Sequence, residues 1–376
     1  MNPGAWLTRR RFLHLGAVGV PLAGAYLLSE YAPWLDHDAL ALQLRRPLDG
    51  AARGAALLRE MVRYASLAAN GHNAQAWRFV VTEQGIDIHP DYGRRLQVVD
   101  PEDRELWISL GCALENLLLA GRASGYEADV DYPDRQDLIR IRFTRASPSV
   151  SRLFEAIPVR QNNRSRYDGT PVPNAVLDDL QALATEPDVT LRLLTGRSGL
   201  ETIAEYVRLG TLSQYGDAAY VAELTHWLRF TEKEACASRD GLFTRLSGNP
   251  EVPRWLGRLF VARSAPETRA DLDVGLVLSA PHALVIASET DQRSNWVRAG
   301  QVYQRIALAM ASCGVHSALH NQPAELSPLR QEFSSALGLG ASRPQLVLRL
   351  GFGPPLPLSL RRPVEDVLIS SVADTP

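Results

Sequence analysis

Residues 69–79 read Ala69-Asn70-Gly71-His72-Asn73-Ala74-Gln75-Ala76-Trp77-Arg78-Phe79, and the fold turns on how this run is read. Before it, Leu57, Leu58, Met61, Val62, Ala65 and Ala68 recur at helical spacing, which predicts a helix with one apolar face against a core. After it, Trp77-Arg78-Phe79-Val80-Val81 has the aromatic and β-branched content of a strand. Ile86-Asp87-Ile88 alternates as its hairpin partner across Glu83-Gln84-Gly85. A polar run between a helix end and a strand mouth sets backbone N–H groups and the amides of Asn70, Asn73 and Gln75 at a sheet edge. A planar heterocycle with alternating donors and acceptors can be read there. The same run also suits an ordinary loop closed over a core tryptophan.

The chain has 376 residues and is 45% hydrophobic, enough for one large domain or two smaller ones with a sizeable core. Forty Lys and Arg against 42 Asp and Glu leave a net charge of −2, so the excess positive charge that nucleic acid binding needs is missing. Cys112, Cys236 and Cys313 form no Cys-x-x-Cys pair, which argues against a disulfide framework or structural zinc. Cys112 and Cys313 fall in apolar helical patterns and read as buried, inert thiols. His316 and His320 have the spacing of two metal ligands on a helix, but Gly314 ends that helix first and no third ligand is near, so no metal is expected. Gly338-x-Gly340 and Gly351-x-Gly353 lack the strand–glycine–helix context of a dinucleotide fold, and no Gly-x-Ser-x-Gly elbow occurs.

At the N-terminus, Thr8-Arg9-Arg10-Arg11-Phe12-Leu13 followed by an apolar run from Leu15 to Leu28 matches the twin-arginine export pattern. Residues 1–28 are therefore expected to engage the twin-arginine translocation machinery. The protein is then expected in the periplasm or anchored to the outer face of the cytoplasmic membrane. Ala23-Gly24-Ala25 offers a cleavage site, while the apolar Tyr26-Leu27-Leu28 after it leaves membrane attachment through an uncleaved signal open.

Downstream, Asp100-Pro101-Glu102-Asp103 supplies a capping signal for a helix from Arg104 to Ser124. That helix has a counterpart. Arg104, Trp107, Gly111, Ala120 and Gly125 are matched by Arg293, Trp296, Gly300, Ala309 and Gly314, each pair 189 positions apart. Each helix leads to an alternating stretch, Leu138–Phe143 and Leu346–Leu350. Five residues in one register predict a tandem duplication, with halves at residues 40–150 and 151–376. The second half is longer, and the excess reads as an insertion at about 211–268, a lid or an inert packing arm, with an amphipathic helix over Ala222–Phe230.

The turn around Asn73, Gln75 and Trp77 resembles that of the nitroreductase superfamily of FMN proteins, whose helix-to-strand turn reads Ala-Pro-Ser-x-x-Asn-x-Gln-Pro-Trp. Here Ala74 and Ala76 flank Gln75, and both prolines of the family pattern are lost. The run Arg160-Gln161-Asn162-Asn163-Arg164-Ser165-Arg166-Tyr167 is similar to the family's Arg-Arg-Ser-x-Arg-x-Phe opening. Gly351-Phe352-Gly353 followed by Arg361-Arg362-Pro363 is similar to its C-terminal ending. Together with the export pattern these features resemble the Acg-type branch. The resemblance implies an α+β, nitroreductase-like fold, here folded from two halves as an intramolecular pseudo-dimer.

It further implies one FMN, with Asn70, His72, Asn73 and Gln75 at the flavin turn and Arg160, Asn163, Arg164 and Arg166, with Arg361 and Arg362, around the phosphate. The loop His320-Asn321-Gln322 would face the flavin's reactive edge. Guanidinium forks beside Asn and Ser donors suit phosphate oxygens on physical grounds as well. A flavin carries its own redox chemistry, so no protein nucleophile or acid is demanded. The expected activity is reduction of a small-molecule electron acceptor of nitro or quinone type. A non-catalytic protein that sequesters FMN beneath a lid is the alternative.

Overall fold

Two mostly antiparallel sheets share one apolar core in the computed structural model, which describes residues 36–83, 85–133 and 136–369. The twin-arginine run and Gln84 of the expected hairpin turn lie outside the described residues. Along the chain come α1 (His37–Gln43), α2 (Ala55–Ala65), β1 (Trp77–Val81), β2 (Gly85–Pro90), α3 (Arg104–Ala123), β3 (Tyr126–Asp131), β4 (Ile139–Arg145) and α4 (Arg152–Ala156). Then follow α5 (Asn174–Ala182), β5 (Val189–Thr195), α6 (Arg197–Gly216), α7 (Ala218–Trp227), β6 (Leu228–Arg229), α8 (Glu232–Ser238), β7 (Leu242–Phe243), α9 (Arg254–Ala262) and α10 (Pro266–Val277). The last part holds β8 (His282–Ser288), α11 (Arg293–Ser312), β9 (His316–Leu319), α12 (Gln322–Glu325), α13 (Ser327–Ala336), β10 (Arg343–Gly351), α14 (Val364–Val367) and β11 (Leu368–Ile369).

One sheet runs β11-β1-β2-β4-β3 and the other β5-β8-β10-β9. In the first, β1 pairs antiparallel with β2, Val81 opposite Ile86, and parallel with β11, Phe79 opposite Leu368. The last described residues of the chain thus complete a sheet whose other strands come from residues 77–145. Trp77, Phe79, Ile86 and Ile88 from that sheet and Leu284, Ile286, Leu346 and Leu348 from the other face a common interior.

Between them cross α3 and α11. In α3 only Arg122 escapes burial, because Leu, Ile, Ala and Cys occupy every face of the helix. The crossing is reciprocal: a Cβ on Gly111 would lie 2.0 Å from the Val297 carbonyl oxygen, and one on Gly300 would lie 2.0 Å from that of Ile108. Positions 108 and 297, and 111 and 300, are the same 189 apart. Only glycine allows the two backbones to approach so closely. The Cys112 thiol donates to the Gly300 carbonyl at 3.2 Å, and burial pushes its pKa up to about 12, so it is the inert thiol expected. Cys313 is different: it sits one residue beyond α11 and is exposed.

Two other expectations are met by different atoms. The Asp100 carboxylate, rather than Asp103, receives the Leu106 N–H at 2.9 Å near the start of α3. The helix before the turn ends at Ala65, earlier than its apolar pattern, which frees the carbonyls of Ser66, Leu67 and Ala68 for other donors. His316 to Leu319 is a strand and not a helix, and no cluster of three or more metal-ligating side chains occurs among the described residues. No helix among them is long and apolar enough to cross a membrane.

Candidate functional site

The run from Asn70 to Ala76 folds as a single 3-10 turn, Gly71–Asn73, followed by a short link into β1. His72, Asn73 and Gln75 all hold positive φ, at 48°, 54° and 53°. Three non-glycine residues in the left-handed region within four positions store backbone strain that neighbouring contacts must hold. Those contacts are visible. The Asn70 side-chain oxygen accepts from the Gln75 N–H at 2.9 Å, and its amide nitrogen donates to Ala68. Asn73 donates to the carbonyls of Gly241 and Leu360 and accepts from Arg361 at 2.7 Å. Gln75, wholly buried, donates to the Arg239 carbonyl at 2.9 Å and accepts from the Arg362 N–H at 2.8 Å. The amides of Asn73 and Gln75 are thus taken up in pinning the turn to residues 239–241 and 360–362.

Beneath the turn lie three buried guanidiniums. Arg361 donates to the carbonyls of Ser66, Ala68 and Leu360, to Asn73 and to the Ser359 hydroxyl. Arg160 donates to the Leu67 carbonyl at 3.2 Å, and Arg45 to that of Ala41 at 3.1 Å. Among the described residues none of the three has a carboxylate partner, and the Nε atoms of Arg45 and Arg160 have no hydrogen-bond acceptor at all. Burial lowers the pKa of all three, that of Arg45 to about 10, with the charge of Arg160 adding at Arg45 and those of Arg45 and Arg160 at Arg361. Buried cations without counter-charge are costly, and an anion supplied from outside the chain removes the cost.

A second basic group adjoins the first across Tyr303, whose hydroxyl donates to Asn162 at 2.9 Å and lies in the field of both Arg160 and Arg164. Arg164 makes no hydrogen bond or ion pair among the described residues. It keeps part of its surface accessible, although enough protein surrounds it to lower its pKa. The Arg349 guanidinium stacks 3.9 Å above the Tyr167 ring and donates to the Ser165 carbonyl and to Nε2 of His320 at 3.0 Å. An arginine can only donate, so His320 is neutral with its proton on Nδ1. Burial and the charges of Arg349, Arg269 and Arg164 hold its pKa well below the ordinary value. His72 is held down to about 4, by burial first and then by Arg164, and its Nδ1 has no partner. The Ser165 hydroxyl, Arg349 Nη1 and Gln322 Oε1 are likewise buried and unpartnered.

The sequence-derived candidates thus separate. Arg160 and Arg361 join one basic group. His72, Arg164, His320 and Gln322 border the other, where the Gln322 amide reaches Thr211 and Asp273 at 3.4 Å. Asn163 is spent inside the protein, its amide on Pro354 at 2.7 Å and its oxygen on the Ser165 N–H. Asn321 likewise bridges Glu105 and the Val347 N–H. The N–H groups of Asn321 and Gln322 find no acceptor among the described residues, so the loop's free donors are backbone ones. Arg362 clamps Gln75 and Asp366, and Arg166 is exposed; neither enters the buried groups.

Sequence reading passed over Arg45, which lacks Asn and Ser companions, and Arg349. The signal for Arg349 was present: a charged residue in the middle of an apolar strand, Leu346-Val347-Leu348-Arg349-Leu350, with no acidic residue opposite.

No protein-family model matches the chain. Among curated proteins it is 28% identical over 310 residues to "Putative NAD(P)H nitroreductase Rv3131" of Mycobacterium tuberculosis, covering 79% of this chain and 86% of that protein. To the nitroreductase of the same organism named acg it is 23% identical over 322 residues, covering 83% and 95%. Solved structures align loosely. A nitroreductase-like family protein from Bacillus cereus gives 16% identity over 59% of this chain and 96% of its own, at a TM-score of 0.36. A nitroreductase with bound FMN from Bacteroides fragilis gives 14% over 55% and 90%, at 0.32. Over about four-fifths of its length the chain is thus similar to curated proteins named as nitroreductases, the one named acg among them.

Proposed function

We propose that the chain binds one FMN where its two basic groups meet and acts as an FMN-dependent oxidoreductase of the cell envelope on nitro- or quinone-like small acceptors. The observation that carries this reading is the buried trio Arg45, Arg160 and Arg361, with no carboxylate against it among the described residues. A phosphate supplies that counter-charge through charge-assisted bonds. Arg164 and the backbone N–H groups of Asn321 and Gln322 are the donors left for the rest of the cofactor. Bound FMN would supply the electron-transfer chemistry. The protein's part is to hold it, to shield it from water and to keep the imidazoles of His72 and His320 neutral beside it.

The halves 40–150 and 151–376 are read as tandem copies forming an intramolecular pseudo-dimer with one intact site. The reciprocal glycine contacts of α3 and α11 support this, as does the passage of β11 into the other half's sheet. The N-terminal twin-arginine pattern supports a location outside the cytoplasm. The alternative, sequestration of FMN without turnover, is favoured by one feature: residues 239–241 of the insertion are bonded directly across the turn.

Gentle purification of the intact chain, followed by a visible spectrum and assay of released flavin, tests the first claim. About one FMN per chain is expected; none, or two, overturns it. Reduction of a nitroaromatic by the dithionite-reduced protein then separates enzyme from store.

A further inference from the structure

The insertion presents one helix whose outer face has no partner among the described residues. Helix α9, Arg254-Trp255-Leu256-Gly257-Arg258-Leu259-Phe260-Val261-Ala262, is fixed from one side. A Cβ on Gly257 would come within 2.2 Å of the Phe230 ring, and Arg254 pairs with Glu234 at 3.2 Å. On its free side Trp255 is 61% and Leu259 36% exposed, and Phe260, 57% exposed, stands about 140° round the helix from Trp255. Trp255, Leu259 and Ala262 recur as i, i+4 and i+7 and so form one stripe, with Arg258 to one side of it and Arg263, the next residue, to the other. Beside the stripe a shallow groove of about 670 Å³ runs between α7 and α9, walled by Ala218, Val221, Ala222 and Thr225. Among the described residues its charged or titratable lining is His226, Arg254 and Arg258, with no carboxylate.

We propose that this face docks on an anionic lipid bilayer. Soluble surfaces seldom cluster three large apolar side chains on one short helix without a use. Tryptophan and phenylalanine beside arginines suit the boundary between headgroups and acyl chains, where rings enter the apolar layer and guanidiniums meet phosphate. The charge complementarity selects the partner, since an apolar lining whose charged members are arginines favours a negatively charged surface over a neutral one. The surface lies on α7 and α9, apart from the residues of the two basic groups, so it does not depend on the flavin reading.

The test uses the full chain with vesicles of phosphatidylcholine alone and of phosphatidylcholine with phosphatidylglycerol, followed by co-sedimentation. Binding to the anionic vesicles, weakened by salt, is expected. Trp255→Ser with Phe260→Ser, and separately Arg258→Glu with Arg263→Glu, should each weaken it about tenfold or more, with melting temperatures unchanged. All forms share the same N-terminus, so the difference reports on α9. Equal binding by wild type and both double variants overturns the proposal. So does a wild-type dimer, seen by sedimentation velocity, that the Trp255→Ser, Phe260→Ser pair converts to monomer, since the face then serves a second copy of the chain.

Discussion

Arg361 reaches five acceptors from one guanidinium, among them two carbonyls freed where α2 stops and the side chain of Asn73 in the strained turn. Lysine keeps the charge but not the planar fork. Arg361→Lys should therefore destabilise the fold by a few kcal/mol, taking about 1.5–3 kcal/mol per lost bond to a charged donor against partial replacement. It should also loosen FMN; thermal melting and flavin release under dilution measure both. Arg166→Lys, at an exposed site, should change neither. His72 makes a prediction about acid. Its folded pKa of about 4 lies below the ordinary 6.5, so unfolding takes up a proton between those values. Its share of the stability is intact above pH 6.5 and is lost as the pH falls toward 4. Asp100 and Glu325, both raised chiefly by burial, act with the opposite sign and soften the total. The clean measurement is the difference: His72→Gln should make the slope of urea-unfolding free energy against pH less positive in that window, by no more than about 1.4 kcal/mol per pH unit. An unchanged slope would mean that the ring titrates normally.

At the scale of elements, α3 and α11 were legible as counterparts from five residues at one spacing, and the structure adds that the matched glycines 111 and 300 each meet the other helix's backbone. Gly111→Ala and Gly300→Ala should each cost about 1–3 kcal/mol or more, since the new methyl meets a backbone carbonyl that cannot swing aside. Gly121→Ala, whose Cβ would meet the Phe143 ring at 3.1 Å, should cost less, and denaturant melts of the three variants test the ranking. The roles of Asn73 and Gln75 were not legible. Their partners lie more than 160 positions away at 239–241 and 360–362, and nothing local records that distance. Nor was β11, whose two residues are too few to show an alternation. The basic groups were half legible. Runs such as Arg160–Arg166 announce themselves, whereas isolated arginines such as Arg45 and Arg349 gain meaning only from what the fold brings beside them.

Over the whole molecule, residues 239–241 and the turn are bonded to each other. Asp240 pairs with Arg94 and with Arg229, both salt bridges lying beside the bonds that hold Asn73 and Gln75. Asp240→Ala should release this clasp and speed reduction of bound flavin by dithionite in stopped-flow mixing; an unchanged rate would count against a lid. With the clasp intact, anaerobic NADPH is expected to bleach the flavin slowly, because a nicotinamide must reach the ring to deliver hydride. Rapid bleaching at micromolar concentration would instead point to a conventional nicotinamide-driven cycle.

The pairing of β1 with β11 has a consequence in time as well as in space. Strand β1 is synthesised nearly three hundred residues before Leu368 leaves the ribosome, so its edge has no partner throughout most of translation. The carbonyls at 66 and 68 likewise wait for Arg361. Nascent chains halted before residue 360 should therefore remain protease-sensitive around residues 66–81, even with every other strand of that sheet already made. The sheet built on β1 is completed by a strand made nearly three hundred residues after it.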